Sequence, residues 1–339
     1  VQGGRLDVAR RTPFLFGMDQ DNDAAPPARP APVARREREA AALRANLRRR
    51  KDQARARERA ETDQGDARKP ADPAPTSRSG EKIMSHTLTV AGVGLEIEDR
   101  GEGRPLVFLH AGEGLAPERP WLDLLAARFR VIAPSHPGFG RSALPDWVGS
   151  VDDLAYLYLD LAAALGLHDV VLVGACFGGW IAAEMAVRDT RRFSRLVLVD
   201  PVGIKVGGVT DRDIADMHAM TREAFMRRAW ADPARGAIDT TKLAETELAA
   251  IARGRESLLV FGWKPYMHNP RLKHWLHRID LPTLLLWGAQ DGIVTPDYGR
   301  HWQELILGAA MQTIPDAGHY PHWEQPEAFV RHVAAFAGA

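Results

Sequence analysis

From residue 84 onward, short apolar runs alternate with stretches whose apolar residues recur every three or four positions. The runs Pro105–His110, Arg130–Pro134, Val170–Val173, Arg195–Asp200, Thr283–Gly288 and Ala310–Pro315 predict buried strands. Thr87–Val90 and Leu95–Glu98, around Gly92 and Gly94, predict an opening hairpin. Between them, Trp121, Leu122, Leu124 and Leu125 mark one helix and Asp152–Leu165 a second, stopped by Gly166. A further helix follows Val170–Val173, and Pro326–Ala337 forms the last. Apolar strands alternating with helices predict an α/β fold, with a mainly parallel sheet covered by helices on both faces. The interval 201–281 breaks the alternation. It lacks clear strands and holds helical segments over 211–231 and 241–253, as an inserted helical cap would.

Charge divides the chain differently. Lys plus Arg and Asp plus Glu are equal at 44 each, yet residues 1–83 hold 19 basic and 13 acidic residues, and the remainder reverses that bias. Residues 1–83 are rich in Ala, Arg, Pro and Asp, as disordered extensions are. They are expected to be an appendage to a catalytic unit spanning 84–339. Arg35–Arg59 could form a basic helix, for which a solvated face is the simpler reading than a nucleic-acid contact. The longest mostly apolar run, 170–187, carries turn-forming glycines and Glu184, so it reads as strand, turn and helix instead of a membrane span. A single cysteine excludes an internal disulfide and fits a reducing, cytoplasmic location.

That cysteine stands in Gly174-Ala175-Cys176-Phe177-Gly178-Gly179, between a strand and a helix. The spacing is that of a nucleophile elbow, G-x-S-x-G, with a thiol in place of the hydroxyl. A thiol at such an apex needs a base, and the base an orienting acid. Asp291 lies on the loop after the strand ending at Gly288, and His319 on the loop after the last strand. Carboxyl ends of parallel strands converge on one crevice, so Cys176, Asp291 and His319 should meet there. The backbone N–H groups of Phe177 and Gly112 are placed to hold an oxyanion.

The segment from about Thr87 to Ala337 resembles the α/β-hydrolase fold superfamily in the order nucleophile, acid, histidine. His110-Ala111-Gly112 is similar to its oxyanion turn, with Ala111 where glycine is usual. Ser135-His136-Pro137-Gly138-Phe139-Gly140-Arg141-Ser142 is similar to its D-x-P-G-x-G-x-S loop, with Ser135 for the acid. The cap and the segment Gly318-His319 to Trp323-Glu324 resemble the branch of carboxylesterases and meta-cleavage-product hydrolases. The elbow thiol instead resembles dienelactone hydrolases, which lack so large a cap.

Rivals exist at several positions. His322 competes with His319 as base, and Asp200, ending the preceding strand, competes with Asp291 as acid. His136 borders the crevice in either a structural or a substrate-contacting role, and Asp316 reads as a turn residue. Trp230, Trp263, Trp275 and Tyr266 either line a pocket or pack the cap. The expected activity is hydrolysis of a small carboxylic ester, lactone or thioester through a thioester on Cys176. The alternatives are a carbon–carbon bond hydrolase of meta-cleavage type and a low-turnover binding protein on the same fold. A small acyl molecule is the expected partner, with no nucleic acid or membrane for the catalytic unit. No metal or cofactor is required by this chemistry.

Overall fold

The computed structural model describes residues 84–339 apart from 116–119, 209 and 238–239. The expectations for residues 1–83 lie outside the described residues. Eight strands form one sheet in the order β1-β2-β4-β3-β5-β6-β7-β8. They are β1 (Met84–Val90), β2 (Val93–Arg100), β3 (Pro105–Leu109), β4 (Arg130–Pro134), β5 (Val170–Ala175), β6 (Phe193–Val199), β7 (Thr283–Gly288) and β8 (Ala310–Ile314). β1 and β2 pair antiparallel and β2 joins β4 antiparallel, while all later pairings are parallel. β5 and β7 are buried at every residue, which is why they read as unbroken apolar runs.

Helices flank the sheet: α1 (Pro120–Ala126), α2 (Val151–Ala164), α3 (Phe177–Arg188), α4 (Arg222–Ala229), α5 (Glu245–Gly262), α6 (Pro296–Leu305), α7 (Pro321–Glu324) and α8 (Pro326–Ala337). α1 packs with α8, and α2 with α3. Trp121 of α1 lies on Phe108 of β3, ring centroids 4.2 Å apart. At the start of α2, Ser150 Oγ accepts the N–H of Asp153 while Asp153 accepts the N–H of Ser150. This reciprocal cap contributes about 1 kcal/mol to the helix.

The cap departs from expectation in its helices. Only α4 forms within 211–231, because Val206, Gly207 and Gly208 wrap around the carboxylates of Asp211 and Asp213 through their N–H groups. That closes the chain into turns. The second cap helix extends to Gly262, where its Ser257, Leu258 and Phe261 face the core. Among the described residues no helix is long and apolar enough to cross a membrane.

Candidate active site

Cys176 sits between β5 and α3 at φ 48° and ψ −110°, a conformation that costs a non-glycine residue of order 1–3 kcal/mol. The surroundings enforce it. Cys176 N donates to Val199 O at 2.8 Å, and its carbonyl accepts from Trp180 and Val202. A Cβ at Gly174 would stand 2.3 Å from Gly178 O, and one at Gly178 would stand 2.1 Å from Leu109 O. Only glycine lets β3, β5 and α3 approach this closely. Phe177 opens α3, so its N–H has no intrahelical acceptor, and Gly112 follows β3 under the cap side chain Leu258.

Asp291 and His319, from the loops after β7 and β8, meet each other. His319 Nδ1 donates to Asp291 Oδ2 at 2.8 Å, with both side chains buried. Oδ1 of Asp291 accepts the N–H groups of Ile293 and Val294 at 2.7 and 3.1 Å. A Cβ at Gly288 would fall 1.8 Å from Gly318 O, so this glycine brings the two loops together. Nε2 of His319 is buried and has no hydrogen-bond partner among the described residues. Burial opposes charge on this imidazole, but the charge of Asp291, followed by the nearby Cys176 side chain, outweighs it and holds His319 well above its usual range.

The rivals fall elsewhere. His322 is enclosed by Trp121, Phe108 and Phe329, and burial followed by the charge of His319 pushes it down to about 3. His136 belongs to the turn: its N–H donates to His110 Nε2, and its ring bonds Tyr158 Oη and His110 O. Where the loop has Ser135, its carboxylate acceptor is Glu96 of β2, which takes the N–H of Arg141 at 2.8 Å. Asp316 is an exposed turn residue at φ 53°. Trp263 and Trp275 are more than half exposed, so neither lines an enclosed acyl pocket. Trp275 borders a separate groove of about 1000 Å³ with Trp180, Phe261 and Arg278, which contains none of the three site residues. Tyr266 accepts Met217 N and braces the cap. Trp230 packs against Tyr320, next to His319, with ring centroids 4.9 Å apart.

Three further carboxyls surround the triad positions. Asp200 is fully buried, with Oδ1 accepting Gly288 N at 2.9 Å; burial and then the charge of Asp291 push it far above the usual carboxylate range. Glu113, next to Gly112, accepts the hydroxyl of Tyr320. Solvent reaches its side chain, yet protein surrounds it closely enough that desolvation raises its carboxyl. Glu324 is buried and accepts Gly318 N at 2.7 Å, Asp232 N at 3.0 Å and Ala231 N at 3.3 Å. Asp200, Asp291 and His319 are spaced closely enough for a cation. Both oxygens of Asp291 are already committed to N–H groups, so the cluster is better suited to proton handling.

A model of the alpha/beta hydrolase family matches residues 106–332. The chain belongs to that family. This alpha/beta hydrolase is 24% identical over 270 residues to 2-hydroxy-6-oxo-6-(2'-aminophenyl)hexa-2,4-dienoic acid hydrolase of Metapseudomonas resinovorans, covering 77% of this chain and 93% of that one. It is 27% identical to the 2-hydroxy-6-oxononadienedioate/2-hydroxy-6-oxononatrienedioate hydrolase of Klebsiella pneumoniae, covering 71% and 90%. In structure it resembles the 2-hydroxy-6-oxo-6-phenylhexa-2,4-dienoate hydrolase of Rhodococcus sp. strain RHA1, with a TM-score of 0.59, 20% identity, and coverage of 77% and 100%. These relatives of the alpha/beta hydrolase lend no support to the dienelactone-hydrolase resemblance.

Proposed function

We propose that this hydrolase cleaves a carbon–carbon bond beside a carbonyl, in a vinylogous diketone of the kind that aromatic ring cleavage produces. What supports this reading is similarity to dienoate hydrolases over nearly their whole length, together with the strained backbone of Cys176 and the buried His319–Asp291 hydrogen bond. It replaces ester hydrolysis as the first expectation.

In this mechanism His319 Nε2 takes the proton of Cys176, and Asp291 fixes the tautomer and balances the imidazolium. The thiolate adds to the carbonyl carbon, and the oxyanion settles against the N–H groups of Phe177 and Gly112. Each such donor typically lowers the barrier by about 3–4 kcal/mol. Collapse breaks the carbon–carbon bond. The electron pair leaves on the carbon conjugated to the dienoate, which takes the proton back from His319. A thioester remains on Cys176, and water deprotonated by His319 hydrolyses it to a carboxylic acid and the free thiol.

The thiol itself favours a second reading, hydrolysis of a small ester, lactone or thioester, because these acyl groups already carry a heteroatom leaving group. A coloured ring-fission dienoate assayed beside a panel of nitrophenyl esters separates the two. Carbon–carbon cleavage predicts a kcat/KM for the dienoate at least about tenfold above the best ester; preference for an ester by that margin rejects it.

A further inference from the structure

The groove of about 1000 Å³ bordered by Trp275 has no task in the proposed reaction. It runs between α2 and α3 on one side and the cap segment 260–278 on the other. Its volume lies at the upper end of the range for small-molecule sites. Trp180, Glu184 and Phe261 line it from buried positions, whereas Tyr156, Val260 and Trp275 stand more than half exposed along it. The guanidinium of Arg188 covers the Tyr156 ring, 5.3 Å from its centroid. Val260 and Trp275 are thus the apolar surfaces left for a ligand to cover.

Charge along the groove is committed on one wall and free on the other. On the helix wall, Asp152 and Glu184 both pair with Arg188, and Asp189 pairs with Arg191. Glu184 also accepts Trp180 Nε1 and Asn269 Nδ2. Of the lining carboxylates, Asp160 alone has no ion pair among the described residues. On the cap wall, no acidic residue occurs between Glu256 and Asp280. Lys264 and Arg271 are exposed there, and their side chains make no ion pair or hydrogen bond among the described residues. Arg278 gives its Nε–H to Val187 O and has no ion pair among them either. We propose that the groove binds an aromatic monocarboxylate, its ring system against Trp275 and Val260 and its carboxylate at Lys264 and Arg271. The planar fork of Arg271 matches a carboxylate, and Lys264 adds a second charge. A neutral ligand leaves both cations unanswered, and a polyanion meets Asp160 and the paired acids of the opposite wall. None of these residues belongs to the Cys176 site, so binding here is independent of the reaction proposed there.

Calorimetric titration of the full chain with 2-naphthoate tests this site. A saturable site is expected, with a Kd of about 1 mM or tighter for a ligand of this size. Lys264→Ala/Arg271→Ala and Trp275→Ala should each weaken it at least about fivefold. The three side chains are exposed, so the melting temperature should move by less than about 2 °C. Neutral 2-naphthylmethanol and the polyanion ATP should each bind at least about fivefold more weakly than naphthoate. No saturation below about 10 mM overturns the proposal. So does a binding curve that the substitutions leave unchanged, because naphthoate held at the Cys176 site would not respond to them. Naphthylmethanol binding as tightly as naphthoate rejects the role of Lys264 and Arg271. Sedimentation velocity across a range of protein concentrations should show no dimer that depends on Trp275. A dimer that Trp275→Ala dissociates would give the groove to a second copy of the chain and overturn the ligand site.

Discussion

The hydroxyl of Tyr320 donates to Oε1 of Glu113, joining the residue after His319 to the residue after Gly112. This bridge puts a carboxyl within electrostatic reach of His319. Burial raises Glu113 first, while Tyr320, His319 and Arg255 pull it back only in part. The carboxyl is thus neutral at pH values where a free glutamate is ionised, and gains charge as pH rises through its raised pKa.

For an anionic dienoate, kcat/KM should fall as pH rises through that ionisation, because a carboxylate repels the substrate. A neutral nitrophenyl ester should not show this limb. Glu113→Gln keeps an acceptor for Tyr320 and should remove the difference between the two pH profiles. Identical profiles for both substrates in the wild type would show that Glu113 does not face the substrate's charge.

Cys176 should be labelled stoichiometrically by iodoacetamide, with parallel loss of activity. Cys176→Ala should lower kcat by at least about 10³-fold while the melting temperature changes little. Cys176→Ser reports how far the surroundings can activate a hydroxyl; retained turnover would mean that the site serves either nucleophile. Full activity after complete labelling would remove Cys176 from the reaction.

Glu324 ties the cap to the loop that carries His319, taking N–H groups from Gly318 on one side and from Ala231 and Asp232 on the other. Glu324→Ala leaves three N–H groups without their acceptor and should cost roughly 3 kcal/mol or more of stability. Glu324→Gln, which keeps one acceptor oxygen, should recover part of it. Chemical denaturation measures the loss, and a kcat reduced more than KM would trace the effect to His319.

Asp200 also predicts how stability varies with pH. Its pKa is raised in the folded protein, so between the unfolded value near about 4 and the folded value the native state binds the additional proton. Stability therefore falls as pH rises through that window. Asp200→Asn removes this penalty and should raise Tm relative to wild type at about pH 8 but not at about pH 4, by about 2–4 °C per kcal/mol recovered. Parallel Tm–pH curves for the two proteins would contradict a buried, protonated Asp200.

The central strands β5 and β7 were readable because burial on both faces leaves almost only apolar residues in them; Thr283–Gly288 has the same limits in sequence and in structure. Cys176, Asp291 and His319 were readable because each follows a strand, where the fold sends its loops to one edge. The cap was less so. Asp211 and Asp213 bend the chain by accepting backbone N–H groups, an effect that helical periodicity does not carry. Glu113 left no mark, and Glu324 entered only as the end of a family-like segment, with no role assigned. A carboxyl beside a glycine, or five residues after a histidine, looks like any polar loop residue until folding brings its donors to it. Asp200 was visible as a rival to Asp291, but not as its neighbour.

The carbonyls of Arg228 and Ala229, at the end of α4, accept the N–H groups of Gly292 and His319 at 2.9 and 2.7 Å. One turn of the cap thus grips the acid loop and the base loop together. A cap swinging away as a rigid lid at this end would break both hydrogen bonds and release the loops that carry Asp291 and His319. The end of α4 and the backbone of His319 are therefore mechanically linked, and a displacement of one is felt by the other.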